Sequence, residues 1–402
     1  IIKTIMESIL ELSESRVTNI FAKQARYLMN QIPGDQRLVL VRGSRGTGKT
    51  TLLLQFLRSL GLPSSRAAFI SLDDIFFSRH PAEDFTDWFV KRGGEYLFID
   101  EVHRNSHWSL LVKSLYDRYP NLKLLISGSS ALQMEKGETD LSRRMLTLNL
   151  NELSLREFIS MKYDIDLPAI SIDELLIDHE RIAREVLSYV KPLMIFDEYL
   201  KYGAYPYFLE GIRYYHERLS NTVSAVLDSD LPAVSGITYG TILKIRKLLS
   251  VLAEAVPFTP NINELSGRVE ISRDLLYRYL HLLEQAGLIY QLRRDSRGIS
   301  IMSKPEKIYL HNTNLSQALT LHKPDKGSER ETFFLNQVSA RYTVNYPDEG
   351  DFIVDGKYTV EVGGRKKSGK QIAKAENAIV VKDDIEYGSG NIIPLWLFGF
   401  LY

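Results

Sequence analysis

Residues 37 to 51 read Arg-Leu-Val-Leu-Val-Arg-Gly-Ser-Arg-Gly-Thr-Gly-Lys-Thr-Thr, and their order decides the fold. The apolar run from Leu38 to Val41 has the length of one buried strand. The stretch TLLLQFLRSLG after the glycines repeats apolar residues at helical spacing until Gly61. Strand, loop and helix are therefore expected in that order. Between strand and helix, Gly43-Ser44-Arg45-Gly46-Thr47-Gly48-Lys49-Thr50 satisfies the pattern Gly, four residues, Gly-Lys-Thr. Glycines at these places let successive backbone N–H groups turn inward around an anion, with the positive end of the next helix behind them. Lys49 is expected to reach the β- and γ-phosphates of ATP, the Thr50 hydroxyl to ligate Mg2+, and Thr51 to complete the phosphate-binding turn.

Outward from this loop, AAFISLDD, EYLFIDE and LKLLISGSS are three more short apolar runs, separated by segments long enough for crossover helices. Buried strands alternating with helices predict an α/β fold with a parallel sheet between two helical layers. The second run ends in Asp100 and Glu101, about fifty residues past Lys49. Asp100 is expected to hold magnesium through water, and Glu101 to orient and deprotonate the attacking water. The third run brings Ser127 and Ser129 to the same sheet edge, where ligands bind. Either hydroxyl suits a γ-phosphate sensor, and either equally suits plain turn chemistry.

The chain has 402 residues, more than one core usually supports, so roughly two to four domains are expected. Fifty Lys and Arg balance fifty Asp and Glu, so any nucleic-acid contact must come from a local basic patch. The lack of cysteine excludes disulfides and thiolate chemistry and fits a reducing compartment. No apolar run approaches the roughly 20 residues of a membrane helix. The opening IIKTIMESILELSESR reads as an amphipathic helix, so no membrane association and a cytoplasmic location are expected. A chain that starts at Ile1 is also expected to lack its true beginning. The eight histidines show no metal spacing with acidic partners.

From about residue 155 to 290 helical patterns dominate, and from about 305 strands return with KIYL, DFIVDG, KYTVEV, NAIVVK and IIPLWLFGFLY. The expected division is an ATPase core at 1–160, a helical lid at 161–215, a winged-helix region at 216–300 and an α/β tail at 301–402. Residues 259–294 read as helix, turn, helix and strand. Ser272 is placed to cap the second helix. Leu275, Leu276, Tyr279, Leu282, Leu283 and Ala286 fall on its core face, and Arg273, Tyr277, Arg278 and His281 fall outward. Arg273 and Arg278 suit a DNA groove, although Glu264, Glu270 and Glu284 dilute the basic field.

In the tail, Glu331 lies on a helical pattern, and Asp351 and Glu361 on two strands around Asp355-Gly356-Lys357. This arrangement resembles a PD-(D/E)xK nuclease, in which two carboxylates bind magnesium and a Lys two residues after the Glu assists the attack. Gly363 stands in that place here, with Lys366 and Lys367 as substitutes, and the expectation is a retained fold without cleavage. A two-residue turn would put Asp351 and Glu361 on opposite faces, whereas a three-residue loop would pair them.

The phosphate loop, YLFIDEVH, the SGSS strand end, LSRRMLTLNLNELSLREF and GAYP together resemble a prokaryotic AAA+ ATPase. In that group the ATPase is followed by a winged helix and a restriction-endonuclease-like domain. The resemblance implies that Arg144, with Arg143 adjacent, acts as a finger toward nucleotide, against the alternative of a solvated Arg pair. It also places Pro206 of Gly203-Ala204-Tyr205-Pro206 near the adenine, although Ala204 departs from the family's second glycine. The implied function is an ATPase switch acting on a macromolecular partner, DNA, a protein or further copies of the chain. The alternatives are a slow nucleotide-gated binding module and an ATP-regulated DNA nuclease.

Overall fold

The computed structural model of the chain describes residues 2–20, 23–129, 141, 143–235, 237–255, 257, 259–294, 304–320, 322 and 324–402. Ser130, the last residue of SGSS, and Ser142 of LSRRM lie outside them. The chain forms two compact units, one of residues 1–151 with 228–237 and one of residues 152–227 with 238–402.

The first unit opens with helix α1 (Ile2–Thr18), the amphipathic helix expected there. Its sheet has five strands, β1 (Leu38–Gly43), β2 (Ala67–Ser71), β3 (Tyr96–Asp100), β4 (Lys123–Ser129) and β5 (Leu146–Asn149), in the order β2-β3-β4-β1-β5. Every neighbouring pair is parallel, so the expected α/β class and the P-loop AAA+ type of core are what the chain adopts. The connecting helices are α2 (Lys49–Ser59), α3 (Ala82–Val90) and α4 (Trp108–Arg118).

Strand periodicity explains the layers, because alternate residues of one strand face opposite sides. Leu38, Leu40, Ile70, Ile99 and Ile126 pack with Phe85, Phe89 and Trp108 of α3 and α4. Val39, Val41, Phe69, Phe98 and Leu125 pack with Leu52, Leu53 and Leu57 of α2. Burial on both faces makes the central strands read as unbroken apolar runs. Parallel pairing carries the strand ends to one edge, with Gly43 opposite Ser129 and Ser71 opposite Asp100.

The second unit starts with α5 (Leu155–Tyr163), whose first turn is closed by a reciprocal cap between Ser154 and Glu157. Helices α6 (Ile172–Tyr189), α7 (Pro192–Tyr202) and α8 (Tyr215–Ala225) follow. A short helix of the first unit, α9 (Leu231–Ser235), intervenes before α10 (Tyr239–Ala255), α11 (Ile262–Val269) and α12 (Arg273–Gln285). Ser272 caps α12 as expected, its hydroxyl accepting from Leu275 N at 3.3 Å. Leu275 itself, expected in the core, is 37% exposed, and Leu280 is fully buried instead. In the first turn of α12 there is no preceding turn to cover Leu275, whereas Leu280 lies one turn deeper.

Strand β6 (Ile289–Leu292) pairs antiparallel with β7 (Lys307–Leu310). The KIYL run grouped with the tail by sequence therefore joins the strand after α12. Beyond α13 (Thr313–Leu319) and α14 (Lys326–Ser339), a second sheet runs in the order β12-β11-β10-β9-β8. Its strands are β8 (Val344–Asn345), β9 (Phe352–Val354), β10 (Tyr358–Gly363), β11 (Ala378–Lys382) and β12 (Ile392–Pro394). Only Ile392–Pro394 of the closing apolar run is strand, and Leu395–Phe400 is a buried 3-10 turn. Pro394 ends the ladder because it lacks an N–H to donate. Among the described residues no helix is long and apolar enough to cross a membrane.

Candidate nucleotide site

The phosphate loop connects β1 to α2. At Gly43 a Cβ would lie 2.3 Å from the Leu150 carbonyl oxygen, so only glycine lets β1 pass the end of β5. At Gly48 there is open space, but φ is +94°, and Gly46 has φ +87°, so the backbone conformation itself favours glycine. The Thr47 hydroxyl donates to Ser44 O at 2.8 Å and closes the turn. Lys49 is buried, and its ammonium donates to Gly43 O at 2.9 Å and Ser44 O at 3.0 Å. Burial pushes its pKa below the ordinary lysine value, and the carboxylates of Glu101, Asp100 and Asp230 pull it partly back.

The strand ends complete the arrangement. The Thr50 hydroxyl donates to Asp100 Oδ2 at 2.7 Å, joining the loop to the tip of β3. The Ser127 hydroxyl donates to Asp100 Oδ1 and accepts from the Glu101 backbone N at 3.2 Å. Ser127 is fully buried, so its hydroxyl here fixes the two acidic residues. Glu101 has φ +55°, a left-handed conformation that a residue with a Cβ adopts at some cost. The strain turns the chain sharply after β3 and carries the Glu101 carboxylate to a partly exposed place, 3.2 Å from His103 Nε2.

Of three further residues beside this site, only His103, the last of the YLFIDEVH run, left a trace in the sequence. Arg26 is buried, donates to Thr47 O, and reaches Asn151 O at 2.7 Å, tying the loop to the end of the first unit. His103 is buried between Glu101 and Asp230, at 3.2 and 3.8 Å. Asp230 arrives from far along the chain and accepts from Arg45 of the loop at 2.9 Å. Arg26 and Asp230 follow no motif, and only the folded chain brings the three together.

Arg144 pairs with Asp117 at 3.0 Å, its guanidinium 5.7 Å from the Tyr116 ring centre, and it remains about a third exposed. Pro206 belongs to the second unit and opens a 3-10 turn. The Gly203–Pro206 turn is held within that unit, by Asn314 Oδ1 accepting from Ala204 N at 2.8 Å and the Tyr215 hydroxyl accepting from Tyr205 N at 3.1 Å.

In the tail, Tyr358 pairs with Val354 and Val360 with Phe352, leaving Asp355, Gly356 and Lys357 as a three-residue loop. Asp351 thus falls opposite Glu361, the second of the two registers the sequence allowed, and its carboxylate accepts from Val362 N at 2.9 Å. A Cβ on Gly363 would meet the Lys367 stem at 2.7 Å, and the Lys367 ammonium lies 3.0 Å from Glu361. Lys307 lies 3.2 Å from Glu331 and 3.8 Å from Asp351. Each of the three carboxylates therefore has a lysine beside it.

Residues 35–159 match the family model described as an AAA domain, and residues 194–326 match one described as a domain of unknown function, DUF8612. The chain is 26% identical over 419 residues to the uncharacterized protein MJ1637 of Methanocaldococcus jannaschii, covering 94% of this chain and 87% of that protein. It is also 26% identical over 298 residues to an uncharacterized protein of Haemophilus influenzae, covering 69% and 67%. Among solved structures, AMPPCP-bound DnaA from Aquifex aeolicus aligns with a TM-score of 0.28 and 13% identity, over 69% of this chain and 88% of that one. The match over residues 35–159 and the geometry above agree that this region is an AAA-type ATPase domain.

Proposed function

We propose that the first unit binds ATP with Mg2+, hydrolyses it, and uses the change of nucleotide state to reposition the rest of the chain on a macromolecular partner. The observation that carries this reading is the 2.7 Å hydrogen bond from Thr50 to Asp100. A hydroxyl and a carboxylate from sites fifty residues apart, both hard oxygen donors, meet at the mouth of a glycine loop, and that donor set fits magnesium. Magnesium held there supplies charge neutralisation on the transferring phosphoryl group. Lys49 and the loop N–H groups hold the phosphates, and Asp100 is fixed by Thr50 and Ser127. Glu101 is placed to take the proton of the attacking water.

Steady-state phosphate release from ATP tests this. Release should be measurable with Mg2+ and lost on chelation with EDTA, and a chain that binds no ATP by calorimetry overturns the reading. Glu101→Gln should leave ATP bound and slow turnover on the order of 10² to 10⁴, because an amide cannot accept the proton. Activity within about twofold of the parent would place the base elsewhere.

We also propose that the partner engages the α11–α12 face. A hollow of about 510 Å³ there is lined by Asn261, Asn263, Arg273, Tyr277 and Lys304, polar and cationic groups suited to the phosphates of DNA. Loss of DNA retention in a gel-shift assay with Arg273→Ala and Lys304→Ala supports DNA, and unaltered retention points to another partner.

For the tail we propose a scaffold without cleavage. Its carboxylates are already neutralised by Lys307 and Lys367, so the cluster holds together on internal ion pairs. Incubation with single- and double-stranded DNA and Mg2+ or Mn2+ should leave the DNA intact. Reproducible cutting, abolished by Asp351→Ala, would reverse this assignment.

A further inference from the structure

Residues 228–237 belong to the first unit, although the chain on both sides of them builds the second. Val226–Asp230 form a wide π-helical turn that runs directly into α9. Such turns are rare and frequent at functional sites, because the added residue changes which side chain the helix presents. The side chain presented here is Asp230, whose carboxylate is 2% exposed.

What surrounds that carboxylate is the nucleotide site. Its Oδ1 accepts from Arg45 Nη1 at 2.9 Å, and Arg45 stands inside the phosphate loop. The same oxygen lies 3.8 Å from His103 Nε2, and His103 in turn faces the Glu101 carboxylate at 3.2 Å. The preceding residue is held as well, since Arg104 Nη1 donates to the Ser229 hydroxyl at 2.7 Å. A continuous path, Arg45 to Asp230 to His103 to Glu101, thus joins the loop that faces phosphate to the residue proposed as base.

A carboxylate and a phosphate are alternative partners for one guanidinium, since both present paired oxygens to its fork. Nucleotide phosphates must enter a loop whose arginine is already paired with an internal anion. Against the cost of burial, the Asp230 carboxylate is held charged inside the protein by several groups together, with His103, Arg45 and Arg104 keeping its pKa below the usual carboxylate value. Of these partners Arg45 is 36% exposed, so its share of the pairing is open to exchange with an anion that arrives from solvent. The place of Arg45 inside the phosphate loop makes such an exchange possible there.

On the reading of this loop as an ATP site, we infer that Arg45 and Asp230 form a latch that nucleotide phosphate competes open. Phosphate takes the guanidinium, Asp230 loses its link to the phosphate loop, and residues 228–237 loosen. Both ends of that segment continue as covalent chain into the second unit, so its release reports the nucleotide state to the remainder of the protein.

Calorimetry with Mg-ATP on the parent, Asp230→Asn, Arg45→Gln and the double variant tests the latch. Asp230→Asn should bind ATP roughly threefold to tenfold more tightly, the scale of one partly exposed charge pair. Arg45→Gln should bind more weakly, and in its background Asp230→Asn should gain less than about twofold, because no guanidinium remains to be freed. In the parent, hydrogen exchange at the amides of residues 228–237 should quicken on ATP binding. Equal or weaker affinity in a folded Asp230→Asn chain overturns the latch. A gain that persists without Arg45 also overturns it, since it then reflects only a general charge effect. If Asp230→Asn does not fold, unchanged exchange in the parent overturns it. A parent that binds no ATP removes the nucleotide reading and the latch together, whereas a parent that binds ATP while these tests fail removes the latch alone.

Discussion

Lys49→Ala is expected to abolish detectable ATP hydrolysis and to weaken ATP binding by roughly 10- to 150-fold, the equivalent of about 1.5–3 kcal/mol for a hydrogen bond to a charged group. The reason lies in the charge balance of the loop. The ammonium is the compact positive charge inside it, within reach of the fields of Glu101, Asp100 and Asp230. Without it, entering phosphates meet three carboxylates with less to offset them. The stability change should be small by comparison. Burial lowers the folded-state pKa of Lys49, so above that pKa the unfolded chain binds more protons than the folded one, and stability rises with pH up to the ordinary lysine range. At neutral pH burial of the ammonium is a cost that its bonds to Gly43 O and Ser44 O offset in part, so Lys49→Ala should melt close to the parent. Calorimetry that finds unchanged ATP affinity would remove Lys49 from the site. A large drop in melting temperature would make the loss one of folding.

The contrast between Lys49 and Asp230 shows what the sequence could reveal. Lys49, Thr50 and Asp100 were legible because a parallel sheet carries all its strand ends to one edge, so residues at fixed places after β1 and β3 must converge. Asp230 depends on a chain reversal from the second unit and a π-helical turn, neither of which leaves a periodic trace. Strand β5 escaped notice for a related reason. It is an edge strand whose residues Leu146, Thr147 and Leu148 are only partly buried and whose Asn149 is exposed, so it lacks the unbroken apolar run of β1. Leu275 and Leu280 lie five residues apart, on opposite flanks of the core face of α12, and only the folded packing shows which flank is covered. The hairpin before Glu361 was open between two registers until the backbone chose. Asp355 and Gly356 both adopt positive φ, which makes the three-residue loop and pairs Asp351 with Glu361.

Arg144→Ala is expected to bind ATP nearly as the parent does while losing up to about 10³ to 10⁵ in turnover, the range for an arginine that neutralises charge on a transferring phosphoryl group. This follows if Arg144 serves a neighbouring copy, in which case activity per chain should also rise with protein concentration. In the single chain its guanidinium is engaged by Asp117 at 3.0 Å, yet the two side chains are 35% and 50% exposed, so the pair is weak and an arriving phosphate can displace it. Asp117→Asn separates the two roles. A guanidinium that acts on nucleotide survives that change and keeps its activity, whereas one that only braces α4 fails as Arg144→Ala does. Mixing Arg144→Ala with Glu101→Gln gives a sharper result. The first chain supplies an intact base and the second an intact arginine, so a mixed assembly rebuilds a complete site and recovers activity that neither chain has alone. Concentration-independent turnover, no recovery on mixing and an unaffected Arg144→Ala enzyme would together leave Arg144 as a solvated partner of Asp117 and the ATPase as a solitary switch.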